Sequence, residues 1–254
     1  MKKQIILLLL AIVGSFASCS SDDGTAESND GALIKSISYT TYNSGIPSTI
    51  SAEFVYSGNV LQSAVTNDGS IEFEYSGDKV LETRHYEADV LHRVNTYTYD
   101  GDNLRFVTSD DGERVQYSYN GNTLTEAQYQ LFDEDVWTTH QANAYVFEQG
   151  NLIEGIRTNY QFGLSDNRTT YTLDDKHNPT VNMNPYLRLT LSIPGIHLLS
   201  ANNRATSTNY YPAASTVPSS FSTYEMVYNT NDYPTTITAK NGDVIVSQTV
   251  IEYQ

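Results

Sequence analysis

The sequence of 254 residues contains one cysteine and few basic residues. A single cysteine allows no disulfide within the chain and no zinc site built from cysteines. Only 14 Lys and Arg stand against 30 Asp and Glu, which gives a net charge of −16. A chain this acidic repels phosphate backbones, so we expect no nucleic-acid partner. Removal of the first 18 residues, which hold two lysines and no acid, takes the charge to −18.

The sequence also lacks the motifs of phosphate loops, dinucleotide sites and serine nucleophile elbows. Its five histidines do not have the spacing of a helical zinc site. The acidic segments 110–112 and 133–135 lack the ligand order of a calcium loop. We therefore predict no catalytic residue, no metal site and no cofactor. A carboxylate pair for glycoside hydrolysis stays open as an alternative, because 30 acidic residues give no reason to choose two.

The first 18 residues have the pattern of a secretory signal peptide. Two lysines precede nine apolar residues at 5–13, a run too short to span a bilayer. The chain's one cysteine directly follows Ala17-Ser18, and this arrangement resembles the lipobox of bacterial lipoproteins. The resemblance implies that Cys19 becomes the lipid-bearing first residue of the mature protein. The alternative is an ordinary cleavage site in which Cys19 has no role.

Residues 19–31 are polar and acidic and contain no large apolar residue. Such a segment cannot join a core, so we predict a flexible acidic tether. Its Ser20-Ser21-Asp22-Asp23 is similar to the export signals of surface lipoproteins in Bacteroidota. We expect the protein to be held by outer-membrane lipid through Cys19 and to face the cell exterior.

Residues 32–254 are predicted to form a single β domain. Apolar and polar residues alternate along the chain, as in 70–75, where Ile71, Phe73 and Tyr75 share one face. This alternation is typical of antiparallel strands that are buried on one side. We predict an all-β, antiparallel up-and-down meander that forms a soluble barrel-like or strongly curved sheet.

One motif recurs: an aromatic residue, any residue, a tyrosine, a polar residue, a glycine, and then a leucine or valine. Ser-Gly, Asp-Gly and Asn-Gly favour tight hairpin turns, and the two aromatic residues share a face. We predict consecutive hairpins with the aromatic pairs directed inward. The copies lie at 54–61, 73–78, 97–104 and 117–124, with worn copies at 145–152 and 171–179.

The copy at 97–101 resembles the Tyr-Asp (YD) repeat of Rhs-type proteins. Together with the lipobox, residues 174–179 and Tyr233-Pro234-Thr235, the arrangement resembles a family of Bacteroidota lipoproteins, DUF4595, described as a domain of unknown function with a porin-like β fold. The resemblance implies a barrel-like architecture and says nothing about activity.

A transmembrane barrel also alternates apolar and polar residues, so it is the competing interpretation. Its strands need about 9 to 11 residues, whereas many strands here are predicted to have about six to eight. Lipidation at Cys19 would also be redundant for an inserted barrel. We expect the apolar face to point inward.

Residues 178–222 form a predicted irregular insert, which holds five of the seven prolines. A long insert in a compact β domain usually covers an open end or binds something. Trp137, Tyr210 and Tyr211 lie outside the repeat, so we predict them as ligand-binding residues. We expect a monomeric, non-enzymatic lipoprotein that binds a glycan or a surface protein. The alternatives are a glycoside-processing enzyme and a structural envelope component.

Overall fold

The computed structural model describes residues 31–43, 46–160 and 166–254. In these ranges sixteen antiparallel strands and one short helix form a closed barrel. The strands follow one another around the barrel in chain order, and β1 pairs with β16 to close the ring. The all-β meander is confirmed, and the sheet is a closed barrel. The predicted signal peptide 1–18, Cys19 and the tether up to residue 30 lie outside the described residues.

The elements of the barrel, in chain order, are β1 (Ile34–Asn43), β2 (Ile46–Ser57), β3 (Val60–Thr66), β4 (Gly69–Ser76), β5 (Lys79–Glu87), β6 (Val90–Asp100), β7 (Asn103–Ser109), β8 (Glu113–Asn120), β9 (Thr123–Asp133), β10 (Val136–Glu148), β11 (Asn151–Asn159), β12 (Asn167–His177), α1 (Pro185–Thr190), β13 (Asn202–Tyr210), β14 (Ser220–Tyr228), β15 (Pro234–Asn241) and β16 (Val244–Tyr253).

The turns that follow β2, β4, β6, β8 and β10 all lie at one end of the barrel, here called the glycine-turn end. In the first four of these turns the first residue is a glycine with positive φ, as in type II′ hairpins. The glycines are Gly58, Gly77, Gly101 and Gly121.

Each of these hairpins also contains a β-bulge at the same place. In the first, Tyr56 pairs with Leu61 but Val55 pairs with Ser63, so one extra residue lies between. The bulge directs the second residue of the following strand into the barrel beside the aromatic pair. This residue is a buried leucine or valine in all five hairpins, namely Leu61, Val80, Leu104, Leu124 and Leu152.

The tyrosines of the motif join successive hairpins. The hydroxyl of Tyr75 donates to the backbone oxygen of Leu61 at 2.6 Å, and that of Tyr99 donates to the backbone oxygen of Val80 at 2.7 Å. The ladder between β3 and β4 covers only residues 63–65 of β3, so the two strands separate towards the glycine-turn end. There the hydroxyl satisfies a carbonyl that the ladder no longer reaches.

Residues 178–201, here called the plug, connect β12 to β13 and fill the lumen at the glycine-turn end. Helix α1 begins after Asn184, whose side-chain oxygen accepts hydrogen bonds from the backbone N–H groups of Tyr186 and Leu187. Such a cap satisfies donors that the helix itself leaves free. Leu187 is fully buried, and Met183 packs with it in the core formed by the plug and the wall.

The plug is shorter than the predicted insert 178–222. Residues 202–210 form the regular strand β13, which pairs with β12 and β14. A second irregular segment, 211–219, joins β13 to β14 at the opposite end of the barrel. The prolines therefore belong to two separate connections.

On β4 the inner face of the wall is apolar and the outer face is polar, whereas other strands also expose valines. Phe73 points into the core, whereas Glu72 and Glu74 flank it on the outside, as the strand period requires. Arg84 pairs on the outer face with Glu74 at 2.8 Å and with Glu82 at 2.6 Å. A lipid-facing wall has an apolar outer band, which these charged side chains interrupt.

Strand length does not distinguish a lipid-facing barrel from other barrels. The strands have 7 to 13 residues, so the predicted six to eight is too short for most of them. Among the described residues, no helix has the length and apolar character needed to cross a membrane.

We predict that the plug contributes strongly to stability. Leu187→Ala should lower the free energy of unfolding by about 2 to 5 kcal/mol, because it leaves a cavity in the core. The matched control is Leu91→Ala, at a position that is 49% exposed, which should change it by about 0.5 kcal/mol. Urea unfolding followed by tyrosine fluorescence measures both. Equal losses of unfolding free energy in the two variants would contradict a contribution of the plug to stability.

Candidate functional site

A cleft of about 540 Å³ opens at the glycine-turn end. It lies between the plug and the turns that follow β6, β8 and β10. Its volume is in the range of small-ligand sites. The plug is fixed beside it, because Tyr186 donates to the backbone oxygen of Asp102 at 2.8 Å and Asn184 donates to that of Asp78 at 2.7 Å.

The cleft combines an apolar wall with a polar rim. The apolar surface comes from both the barrel and the plug: Leu124, Phe147, Leu189, Leu198 and Leu199. The rim carries amide and carboxylate side chains: Asp102, Asn103, Asn122 and Gln149. Few polar groups around an apolar surface are typical of a site that orients a small ligand.

Tyr119 lines this cleft and occupies the same motif position as Tyr75 and Tyr99. Unlike theirs, its hydroxyl makes no hydrogen bond to any described residue. The next copy of the motif has Phe147 at this position, which has no hydroxyl. Burial, and then the neighbouring Tyr186, raise the pKa of Tyr119 to about 12, so it remains a hydrogen-bond donor at neutral pH. The cleft therefore lies where the series of hydrogen bonds from motif tyrosines to the preceding hairpin ends.

Arg188 of α1 brings a positive charge to the cleft. Its Nε donates to the backbone oxygen of Leu198 at 2.8 Å, and its Nη2 donates to that of Ser200 at 2.6 Å. No ion pair between described residues includes it. Burial lowers the pKa of Arg188, because its charge loses water without gaining a carboxylate.

Two smaller cavities, of about 160 and 270 Å³, lie elsewhere in the lumen. In the first, Asn95 lies 2.9 Å from His85 and donates to Thr83 at 3.2 Å. Burial, and then the charge of Arg93, lower the pKa of His85. These polar groups satisfy one another. The second cavity contains Arg204.

The predicted ligand-binding residues do not line the cleft. Trp137 lies on the outer wall, where its ring packs against Phe132 at 5.1 Å and under Arg114 at 4.2 Å. Tyr210 packs under Arg168 at 4.1 Å, and Tyr211 is 54% exposed.

Strands β11 and β12 separate Trp137 on β10 from Tyr210 on β13. The structure therefore does not bring these residues together, and their binding role stays a prediction. Cys19 lies outside the described residues.

Sequence reasoning missed Tyr119 and Arg188. A signal for Tyr119 was present, because its motif copy precedes the copy in which phenylalanine replaces the tyrosine. For Arg188 only its place in the insert pointed to a role, since its partners are backbone carbonyls.

Acidic side chains are few at the cleft. Asp102 is the one acid among the described residues that line it, and glycoside hydrolysis needs two. No group of three His, Cys, Asp or Glu that could hold a metal ion occurs in 31–43, 46–160 and 166–254. The arrangement can bind a polar ligand through hydrogen bonds and one positive charge.

Comparison with known proteins identifies a structure of similar architecture. No protein-family model matches the sequence, and no curated protein matches it. A crystal structure of a porin-like protein from Bacteroides uniformis is similar, with a TM-score of 0.59 over 87% of this chain and 98% of that chain. The chain has a porin-like β fold. The two sequences are 13% identical, so the similarity extends to the fold and not to activity.

His197 of the plug gives a pH-dependent prediction. Its ring packs against Tyr171 at 4.6 Å, and burial, followed by the charges of Arg204 and Arg188, lowers its pKa to about 3. The unfolded chain binds a proton near the ordinary pKa of 6.5, but the folded chain does not. The contribution of neutral His197 to the free energy of unfolding is therefore complete above pH 6.5. It falls as the pH drops from 6.5 towards 3, by about 1.4 kcal/mol per pH unit at most.

His197→Gln should remove this part of the slope. Urea unfolding of both proteins between pH 7 and 4 measures it. Identical slopes in the two proteins would contradict a neutral, buried His197.

Proposed function

We propose that the protein is a non-enzymatic, surface-tethered lipoprotein that binds a short glycan in the cleft. The observation that carries this proposal is the combination of the free Tyr119 hydroxyl with a rim of amides beside an apolar wall. Sugar rings pack their apolar faces on aromatic and aliphatic side chains, and their hydroxyls hydrogen-bond to amides, carboxylates and tyrosines. Phe147, Leu124 and Leu189 supply the first kind of contact, and the rim supplies the second.

The size of the cleft favours a glycan over a protein partner. A stable protein interface buries about 800 Å² on each side, usually over a broad surface. A cleft of about 540 Å³ instead fits a ligand of a few sugar rings. Its single acid supports binding rather than hydrolysis.

We infer that lipid on Cys19 and the acidic tether 19–31 hold the barrel at the outer membrane, facing the exterior. The lipobox and the adjacent Ser20-Ser21-Asp22-Asp23 support this location. We also infer that the chain is related to the DUF4595 lipoproteins and that its hairpin motif is a YD-like repeat. Five hairpins with the same bulge and a buried leucine or valine at the same position support a repeated unit.

We predict that Tyr119→Phe weakens glycan binding about five- to tenfold, because a hydrogen bond to the ligand is worth about 1 kcal/mol. Its thermal midpoint should stay unchanged, since the hydroxyl has no partner in the described structure. The matched control is Tyr75→Phe, which should lower stability by about 1 to 2 kcal/mol and leave binding unchanged. A glycan array identifies the oligosaccharide, and calorimetry measures its affinity for each variant.

A second variant, Asn122→Trp, should abolish binding by filling the rim of the cleft. Equal affinity in Tyr119→Phe, Asn122→Trp and the wild type would overturn the cleft as the site. A blank array would favour the structural envelope component instead.

We predict that Cys19→Ala releases the protein from the membrane, because it removes the residue that carries the lipid. The wild type should incorporate an alkyne-labelled fatty acid and sediment with the outer membrane, whereas Cys19→Ala should do neither. Ser21→Ala is the control and should keep both properties. Fatty-acid labelling that persists in Cys19→Ala would contradict the anchor.

A further inference from the structure

Arg204 of β13 is directed into the lumen by a β-bulge. Thr206 pairs with Thr172, but Arg204 pairs with Leu173, so Ala205 is an extra residue in the ladder. A bulge reverses the face on which the following side chains lie and often re-aims one of them. The guanidinium of Arg204 consequently lies over the ring of Tyr224, 4.0 Å from its centroid.

Apart from the ring of Tyr224, the guanidinium of Arg204 has no partner in the described structure. Its Nε is buried and lacks a hydrogen-bond acceptor, and no ion pair between described residues includes it. Arg84, Arg93 and Arg168 each pair with a glutamate. A buried N–H without an acceptor loses hydration and gains no hydrogen bond in return. The guanidinium therefore has hydrogen-bonding capacity that no described residue uses.

The cavity of about 270 Å³ beside Arg204 is suited to a group that accepts hydrogen bonds. Ser222, Ser247 and Thr249 line it and bring hydroxyl donors, and no acid is among its described lining residues. Gly195 of the plug also lines the cavity, and a Cβ there would lie 2.0 Å from Oγ1 of Thr249. The glycine therefore lets the backbone of the plug pack close to this hydroxyl without a clash.

We propose that this cavity binds a small oxyanion, a carboxylate, phosphate or sulfate group, through Arg204 and the neighbouring hydroxyls. The planar guanidinium donates two parallel hydrogen bonds to such oxygens, and the hydroxyls of Ser222, Ser247 and Thr249 donate to the others. The oxyanion is either a free inorganic ion or the acidic substituent of a sugar. The site shares no lining residue with the cleft, so it does not depend on glycan binding there.

The test is calorimetric titration of the full barrel with inorganic phosphate, sulfate and glucuronate, each against chloride at the same ionic strength. We expect saturable binding of at least one oxyanion to the wild type. Arg204→Gln should weaken it about tenfold or more, because the bidentate donor is gone. Arg105→Gln removes an exposed arginine of the outer wall and should leave the binding unchanged. Binding of phosphate alone identifies a free ion, and binding of glucuronate identifies a sugar acid.

A second variant covers the case in which Arg204→Gln does not fold. Ser247→Ala keeps the arginine and removes only one hydroxyl, and it should weaken binding several-fold at unchanged circular dichroism. No saturable binding of any of the three anions to the wild type would overturn the proposal. Equal affinity in Arg204→Gln or Ser247→Ala and the wild type would overturn it as well.

Discussion

The need to fill a wide lumen determines most of this structure. Eight strands already enclose a space that the side chains of the wall can occupy, and sixteen enclose far more. The inward aromatic residues cover the wall and contact the plug, as where the hydroxyl of Tyr97 donates to that of Thr190 at 3.0 Å. The plug supplies the missing apolar volume, with Leu187 fully buried between it and the wall. Asn184 and Tyr186 then tie the plug to the turns of the wall, so its position is set by hydrogen bonds as well as by burial.

Because the plug fills the lumen only in part, the remaining space is divided and chemically unequal. Beside α1 it leaves a cleft with leucine and phenylalanine walls. Near β13 to β16 it leaves a smaller cavity with hydroxyl groups and Arg204. The same connection therefore stabilises the barrel and shapes both spaces. Residues of the plug are accordingly expected to affect folding and binding together, whereas Tyr119 and Ser247 of the wall separate the two effects.

The hairpins could be predicted from local sequence patterns, whereas features that depend on pairing between distant segments could not. Turn residues and the two-residue spacing of Phe73 and Tyr75 act within one hairpin, so the sequence shows them directly. The bulge was missed because it appears only in pairing between strands, although buried residues three apart, such as Leu61 and Ala64, are its trace. The direction of Arg204 depends on the register with β12, and the free hydroxyl of Tyr119 depends on what a neighbouring strand offers. Neither is encoded within a short segment.

The seam between β1 and β16 has a consequence for the time course of folding. Ser36 donates to Glu252 across it at 3.1 Å, and the two residues are 216 positions apart in the chain. Neighbouring hairpins form from local contacts, whereas this seam requires nearly the whole meander to be in place. Until then β1 and the newest strand each present unpaired backbone groups, which invite pairing with other chains. The chain therefore has its greatest need of protection just before its ring closes.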